Sequence, residues 1–106
     1  MPVVVGDEAF RAIGDPTRRA ILDMLAQRDC SVGELCASFP ISQSAVSQHL
    51  RVLREAGLVT PRQEGRLRVY RLEPAPLQAI YEWVEHYQRF WASKLGALGR
   101  YLDEGQ

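Results

Sequence analysis

The stretch SQSAVSQHLRVLREAGLV, residues 42–59, decides the fold. Ser42 stands just before an apolar periodicity, and its hydroxyl can accept one of the backbone N–H groups that a first helical turn leaves orphaned. At about 100° per residue, Val46, Leu50 and Leu53 fall in one narrow sector that must face a core. Ser44, Ser47, Gln48, Arg51 and Glu55 fall opposite. The helix is expected to stop at Ala56-Gly57-Leu58, where Gly57 takes a left-handed cap and Leu58 supplies the packing contact.

Upstream, Ser31 with Glu34 three residues later is a capping box, which opens a short helix over 31–38, and Pro40 stops it. A short helix, a tight turn at Pro40-Ile41 and a second helix make a helix-turn-helix. Asp15-Pro16 reads as an N-cap and a first-turn proline, so a helix is expected over 15–28 with Ile21, Leu22 and Leu25 inward. A weaker one covers 7–13. Downstream, 59–63 and 66–72 read as two strands joined around Glu64-Gly65, and Pro61 confines the first to a sheet edge. After Pro74 and Pro76 a single helix is expected over 77–102, about 39 Å long at 1.5 Å per residue.

Composition bounds what such a chain can be. With 106 residues, 46% hydrophobic and 25% charged, it has the make-up of one soluble globular domain and not of a disordered chain. Such a domain is expected to have a radius of gyration of about 13 Å. No apolar run reaches the ~18 residues of a membrane span, and the start MPVVVGDE lacks the basic and apolar regions of a signal peptide. Two cysteines are too few for a secreted disulfide scaffold, so a cytoplasmic protein is expected.

The net charge of zero conceals an asymmetry. From Ser42 to Arg71 there are six arginines against two glutamates, whereas both flanking segments are acidic. A basic segment of this kind points to an anionic partner. In a helix-turn-helix the second helix enters the DNA major groove with its N-terminal residues at base edges. Gln48 suits a two-bond contact to adenine, and Arg51 suits guanine or a phosphate. A solvated polar face is the plain alternative for such a helix. The hairpin argues against it: Arg66 and Arg68 follow Gly65 at the tip, flanked by Arg62 and Arg71, as a wing that grips backbone or minor groove would require. Protection of an edge strand explains part of that charge, but not its lack of balancing acids.

Residues 42–59 strongly resemble the recognition helix of ArsR-type winged helix-turn-helix repressors. FRAIGDPTRRAILDML (10–25), the ELC at 34–36 and the wing RQEGRLRVYRL (62–72) continue the resemblance in order, and it spans roughly residues 8–102. It implies a fold that is mainly α with a small β-hairpin wing, dimerising through a long C-terminal helix. One domain is expected over 1–106, with a DNA-binding core at 7–73, the wing at 59–72 and a dimerisation helix at 77–102. The resemblance further implies a homodimeric repressor on a palindromic double-stranded operator, often in its own promoter. Base contacts would fall on Gln43, Ser44, Ser47, Gln48 and His49, and backbone contacts on Arg51, Arg54, Arg62, Arg66 and Arg68.

The segment after Pro76 carries two adjoining apolar stripes, wider than an ordinary amphipathic helix needs. One can pack at home and the other on a partner, so Leu77, Tyr81, Val84, Tyr87, Trp91, Leu95 and Leu98 are expected to dimerise the chain. A membrane-surface helix is disfavoured, since Glu82, Glu85, Arg89 and Arg100 do not make a lysine-rich face.

The chain departs from its metal-sensing relatives. Where they carry a second cysteine after the ELC, this chain has Ser38, and its last helix holds the single histidine His86. No metal site and no cofactor are expected. Cys30 and Cys36 remain candidates for a redox pair if their Cα atoms come within ~7 Å; otherwise Cys36 is a small core residue. A thiol- or metal-responsive repressor and a dimeric interaction module that does not read DNA are the alternatives. An enzyme is disfavoured, because no phosphate loop, paired histidines or nucleophile–base motif is present.

Overall fold

The computed structural model describes residues 7–92 and 94. The chain runs α1 (Asp7–Ala12), α2 (Pro16–Gln27), β1 (Cys30–Ser31), α3 (Val32–Ser38), α4 (Gln43–Glu55), β2 (Val59–Glu64), β3 (Leu67–Leu72) and α5 (Leu77–Glu85).

Local chemistry sets these boundaries. The Asp15 side chain accepts from the Arg18 backbone N–H at 3.0 Å and Pro16 follows as the first helical residue, so α2 starts there. At α3 the capping box is complete: Ser31 Oγ accepts from Glu34 N–H, and Glu34 Oε1 accepts from Ser31 N–H, each at 3.1 Å. The end of α4 closes in a Schellman motif. Leu58 N–H donates to Leu53 O and Gly57 N–H to Arg54 O, both at 2.9 Å, which requires the positive φ of 74° that Gly57 adopts. Gly65 turns the hairpin with φ 60°.

β2 and β3 pair antiparallel from Val59↔Leu72 to Glu64↔Leu67. The sheet has a third strand that the sequence did not announce: β1 pairs antiparallel with β3, Cys30 opposite Tyr70 and Ser31 opposite Val69, in the order β1-β3-β2. Pro61 therefore lies on an edge strand, where its missing N–H interrupts no ladder.

Helices and sheet share one core. Ile21, Leu22 and Leu25 of α2 meet Leu35 of α3, Val46, Leu50 and Leu53 of α4, and Leu58, Val59 and Tyr70 at the base of the wing. Every inward residue expected for α2 and α4 is buried.

The C-terminal segment corrects the sequence reading. α5 ends at Glu85, and His86 and Tyr87 form a turn in which each N–H donates three residues back, to Trp83 O and Val84 O. The chain is helical again over 88–92. One unbroken helix over 77–102 is not what forms. α5 has no side-chain N-cap and no buried residue, and Trp83, His86 and Tyr87 are indifferent helix formers, so neither local propensity nor deep burial favours continuing the helix through 86–87. Residues 95–102, with Leu95 and Leu98, lie outside the described residues. Leu77 packs on the core of its own chain, so it is not a free dimerisation residue. The radius of gyration is 17.6 Å, above the compact expectation.

The two capped helix starts predict an acid response. The Arg18 backbone N–H holds the Asp15 carboxyl below its ordinary value, and the Arg28 guanidinium does the same for Glu34. A carboxyl whose folded pKa is depressed stabilises the fold above its unfolded pKa, and that stability is lost as pH falls through the folded pKa. Melting temperature should therefore fall below about pH 5. Asp15→Asn and Glu34→Gln should each flatten that fall, and an acid limb unchanged in both variants would contradict this origin.

Candidate nucleic-acid interface

α4 lays its buried stripe on the core and turns the opposite face out. Ser44, Ser47 and Gln48 are exposed there in the first two turns, and Gln43, the first helical residue, is exposed beside them. Their side chains are short or end in an amide, so the backbone of α4 can approach a groove floor closely. The Ser42 hydroxyl is occupied, accepting from Ala45 N–H at 3.1 Å. Arg51 and Arg54 follow on the exposed side, with Arg51 Nε donating to Glu55 at 3.1 Å.

The wing stands beside this face. A cleft of about 550 Å³ separates them, lined by Gln43 and Ser47 from α4, Ser31, Val32 and Gly33 from the start of α3, and Arg66, Leu67, Arg68 and Tyr70 from the wing. The two elements thus form one surface with a polar, cationic trough between them.

The wing arginines do not behave alike. Arg66 is exposed and has no carboxylate partner among the described residues. Arg68 is held over the Tyr70 ring, 5.7 Å from its centroid, with Nε donating to the Tyr70 hydroxyl at 3.1 Å. Arg62 reaches away from the trough, donating to Asp29 at 2.6 Å and to Glu64 at 2.9 Å. Arg71 is likewise engaged by Glu73 at 2.7 Å. Arg62 therefore braces the base of the wing. The partner Asp29 lies 33 positions earlier, so no local pattern reveals this pairing.

His49 is also placed differently from the rest of its set. It is half-buried on the side of α4 that meets α2, with Nδ1 3.4 Å from Arg18 Nη1 and 4.0 Å from Asp15 Oδ2. That position sets it apart from the exposed Gln43, Ser44, Ser47 and Gln48.

The role of Tyr70 was missed. The signal was there, since residues two apart on a strand share a face, which sets Tyr70 beside Arg68.

Cys30 and Cys36 are both free. Cys30 is buried against the core, its thiol donates to Arg28 O at 3.5 Å, and burial pushes its pKa up. A thiol in that state is a poor nucleophile. Among the described residues, no three His, Cys, Asp or Glu side chains come together as metal ligands would. No described helix is long and apolar enough to cross a membrane.

A second surface is apolar. Trp83, Tyr87 and Phe90 form an aromatic ladder, with ring centroids 5.4 Å and 6.2 Å apart in turn, and Phe10 of α1 meets Trp83 edge-on at 5.6 Å. Trp83, Tyr87, Phe90, Trp91 and Tyr81 are all exposed.

A family model described as "Bacterial regulatory protein, arsR family" matches residues 15–60. The chain is 43% identical over 97 residues to the HTH-type transcriptional regulator Rv2034 of Mycobacterium tuberculosis, covering 92% of this chain and 88% of that protein. It is 35% identical over 81 residues to the transcriptional repressor SdpR of Bacillus subtilis, with 76% and 90% covered. Among solved structures it is similar to an ArsR-like transcriptional regulator from Rhodococcus sp. RHA1, at a TM-score of 0.68 and 32% identity over 90% of each chain.

Proposed function

We propose, because this chain belongs to the arsR family of bacterial regulatory proteins, that it is a homodimeric repressor of transcription that reads a palindromic operator without a metal. The family's members are transcriptional regulators and not enzymes, and this chain is a winged-helix DNA-binding protein of that kind. The observation that carries the finer reading is the shared surface of α4 and wing: a row of small polar side chains facing out, with two available arginines across the trough.

In this reading Gln43, Ser44, Ser47 and Gln48 meet base edges in the major groove. Arg51, Arg54, Arg66 and Arg68 hold phosphates, and Tyr70 pre-orders Arg68 for its contact. Two copies related by a two-fold axis present their α4 helices to half-sites about one turn apart, ~10 bp or a multiple. The aromatic face of α5 and α1 supplies the interface, with Tyr81, Trp83, Tyr87, Phe90 and Trp91 as its exposed members and Val84 beneath them. The absence of a metal step is supported by Ser38, which stands where metal-sensing relatives carry a thiolate.

The test is fluorescence anisotropy on a duplex enriched from a randomised pool by the wild-type protein, compared with unselected duplex of the same length. Gln48→Ala should lose about 1–3 kcal/mol on the enriched duplex and far less on the other. Equal losses would remove its reading role. Arg66→Ala should weaken both duplexes alike and lower the slope of log K against log salt by about 0.9, one phosphate's worth. Zinc or a mild oxidant should leave wild-type binding unchanged, and release of the duplex by either would restore the responsive alternative.

A further inference from the structure

His49 and Arg18 form a contact that neither base reading nor dimerisation uses. Arg18 sits in the first turn of α2 and spends its guanidinium on two other helices. Nε donates to Ala12 O at 2.6 Å, a carbonyl at the end of α1, and Nη2 donates to Arg11 O at 3.2 Å beside the Gly14 N–H that the same oxygen accepts. Nη1 faces His49 Nδ1 on α4 at 3.4 Å. A guanidinium has only donors, so this contact is a hydrogen bond in the tautomer whose Nδ1 accepts and whose ring proton sits on Nε2. Asp15 stands behind both, accepting from the Arg18 backbone N–H at 3.0 Å and lying 4.0 Å from Nδ1. One side chain thus ties the end of α1 to the middle of α4. α1 packs against α5 as well as α4, and carries the Phe10 contact to the aromatic ladder.

We propose that His49 is a positioning residue: by accepting from Arg18 it fixes the angle of α4 to the α1–α2 corner. The pitch at which α4 enters the groove is then set by the same corner that carries the aromatic face. The proposal rests on the reading of α4 as the helix that meets DNA, and deepens it. Base readout depends on helix angle far more than phosphate attraction does, so loosening the contact should reduce preference for the operator while sparing general affinity.

Two measurements on the full chain separate the contact from its consequence. The first is ¹⁵N NMR of the histidine ring in the free protein at neutral pH. An unprotonated Nδ1 with the proton on Nε2 is expected, with the Nδ1 resonance moving in Arg18→Lys. A protonated Nδ1 overturns the contact whatever the DNA result. The second is the ratio of affinities for enriched and unselected duplex. His49→Leu, which keeps bulk but accepts nothing, should cut that ratio about tenfold. His49→Asn, whose Oδ1 can stand near the Nδ1 position, should restore most of it. Equal loss in both variants, or none in either, overturns the positioning role. A loss of thermal stability in His49→Leu with the ratio intact also overturns it, since that is a merely structural effect. A wild-type ratio near one sinks the DNA reading and with it the positioning role, while the NMR result still reports on the contact itself.

Discussion

In the proposed dimer, Tyr87→Glu should leave monomers and lower affinity for the enriched duplex by roughly 10²–10⁴-fold, the range lost when two linked contacts become single ones. Tyr87 sits mid-ladder, between Trp83 and Phe90, on a face where Phe90 is 60% exposed and Trp83 51%. Monomeric proteins rarely leave a contiguous apolar patch of that kind to water. A two-fold interface brings each such patch against its own copy, so a single substitution places a carboxylate on both sides of it. Desolvating two unpaired charges there costs more than the aromatic contacts return. Within one chain Tyr87 is 48% exposed and stacks on Trp83 and Phe90, outside the buried core, so the folded monomer should keep its melting curve at low concentration. Sedimentation velocity and anisotropy on the same sample check both halves. A Tyr87→Glu chain that remains dimeric would move the interface elsewhere on the molecule.

Leu53→Ala is expected to cost about 2–5 kcal/mol of folding stability, the usual toll for a leucine removed from a packed core. Leu53 is fully buried, one turn beyond Leu50 on α4, in the cluster that also holds Leu58, Val59 and Tyr70. Its removal opens a void where α4 meets the base of the wing, and neither the Schellman closure nor the β2–β3 ladder leaves that region free to collapse inward. Domains of this size are stable by only about 5–15 kcal/mol, so a large part of the total is at stake. Urea titration at a fixed protomer concentration gives the value directly. A loss below about 1 kcal/mol would mean that this part of the core is not close-packed.

The sequence was most informative where the physics is local. Ser42, the Ser31–Glu34 pair, Asp15-Pro16 and Gly57 each act within a few residues of themselves, and each sits where its pattern placed it. The inward sector of α4 was equally readable, since helical geometry alone fixes it. Distant partners were not. β1 is two residues long and exists only because β3 comes back beside it, so it carries no periodicity of its own. Arg62 looked like its neighbours until Asp29 claimed it. His49 lay at the margin of the polar face, and only the position of α2 shows which way the ring is used. The helix after Pro76 was read as unbroken because its apolar spacing continues past Glu85. Spacing does not register that α5 buries no residue and that Trp83, His86 and Tyr87 at its end are indifferent helix formers.

The pairing of Cys30 and Ser31 with Tyr70 and Val69 has an engineering consequence. Ser31 is at once a strand residue beside the wing and the cap that starts α3, so wing and reading unit are riveted at one point. The hairpin has no hinge of its own there and cannot be exchanged as a cassette between 59 and 72. A transplanted wing would have to bring a compatible Cys30-Ser31 counterpart with it, or arrive at a different tilt to α4.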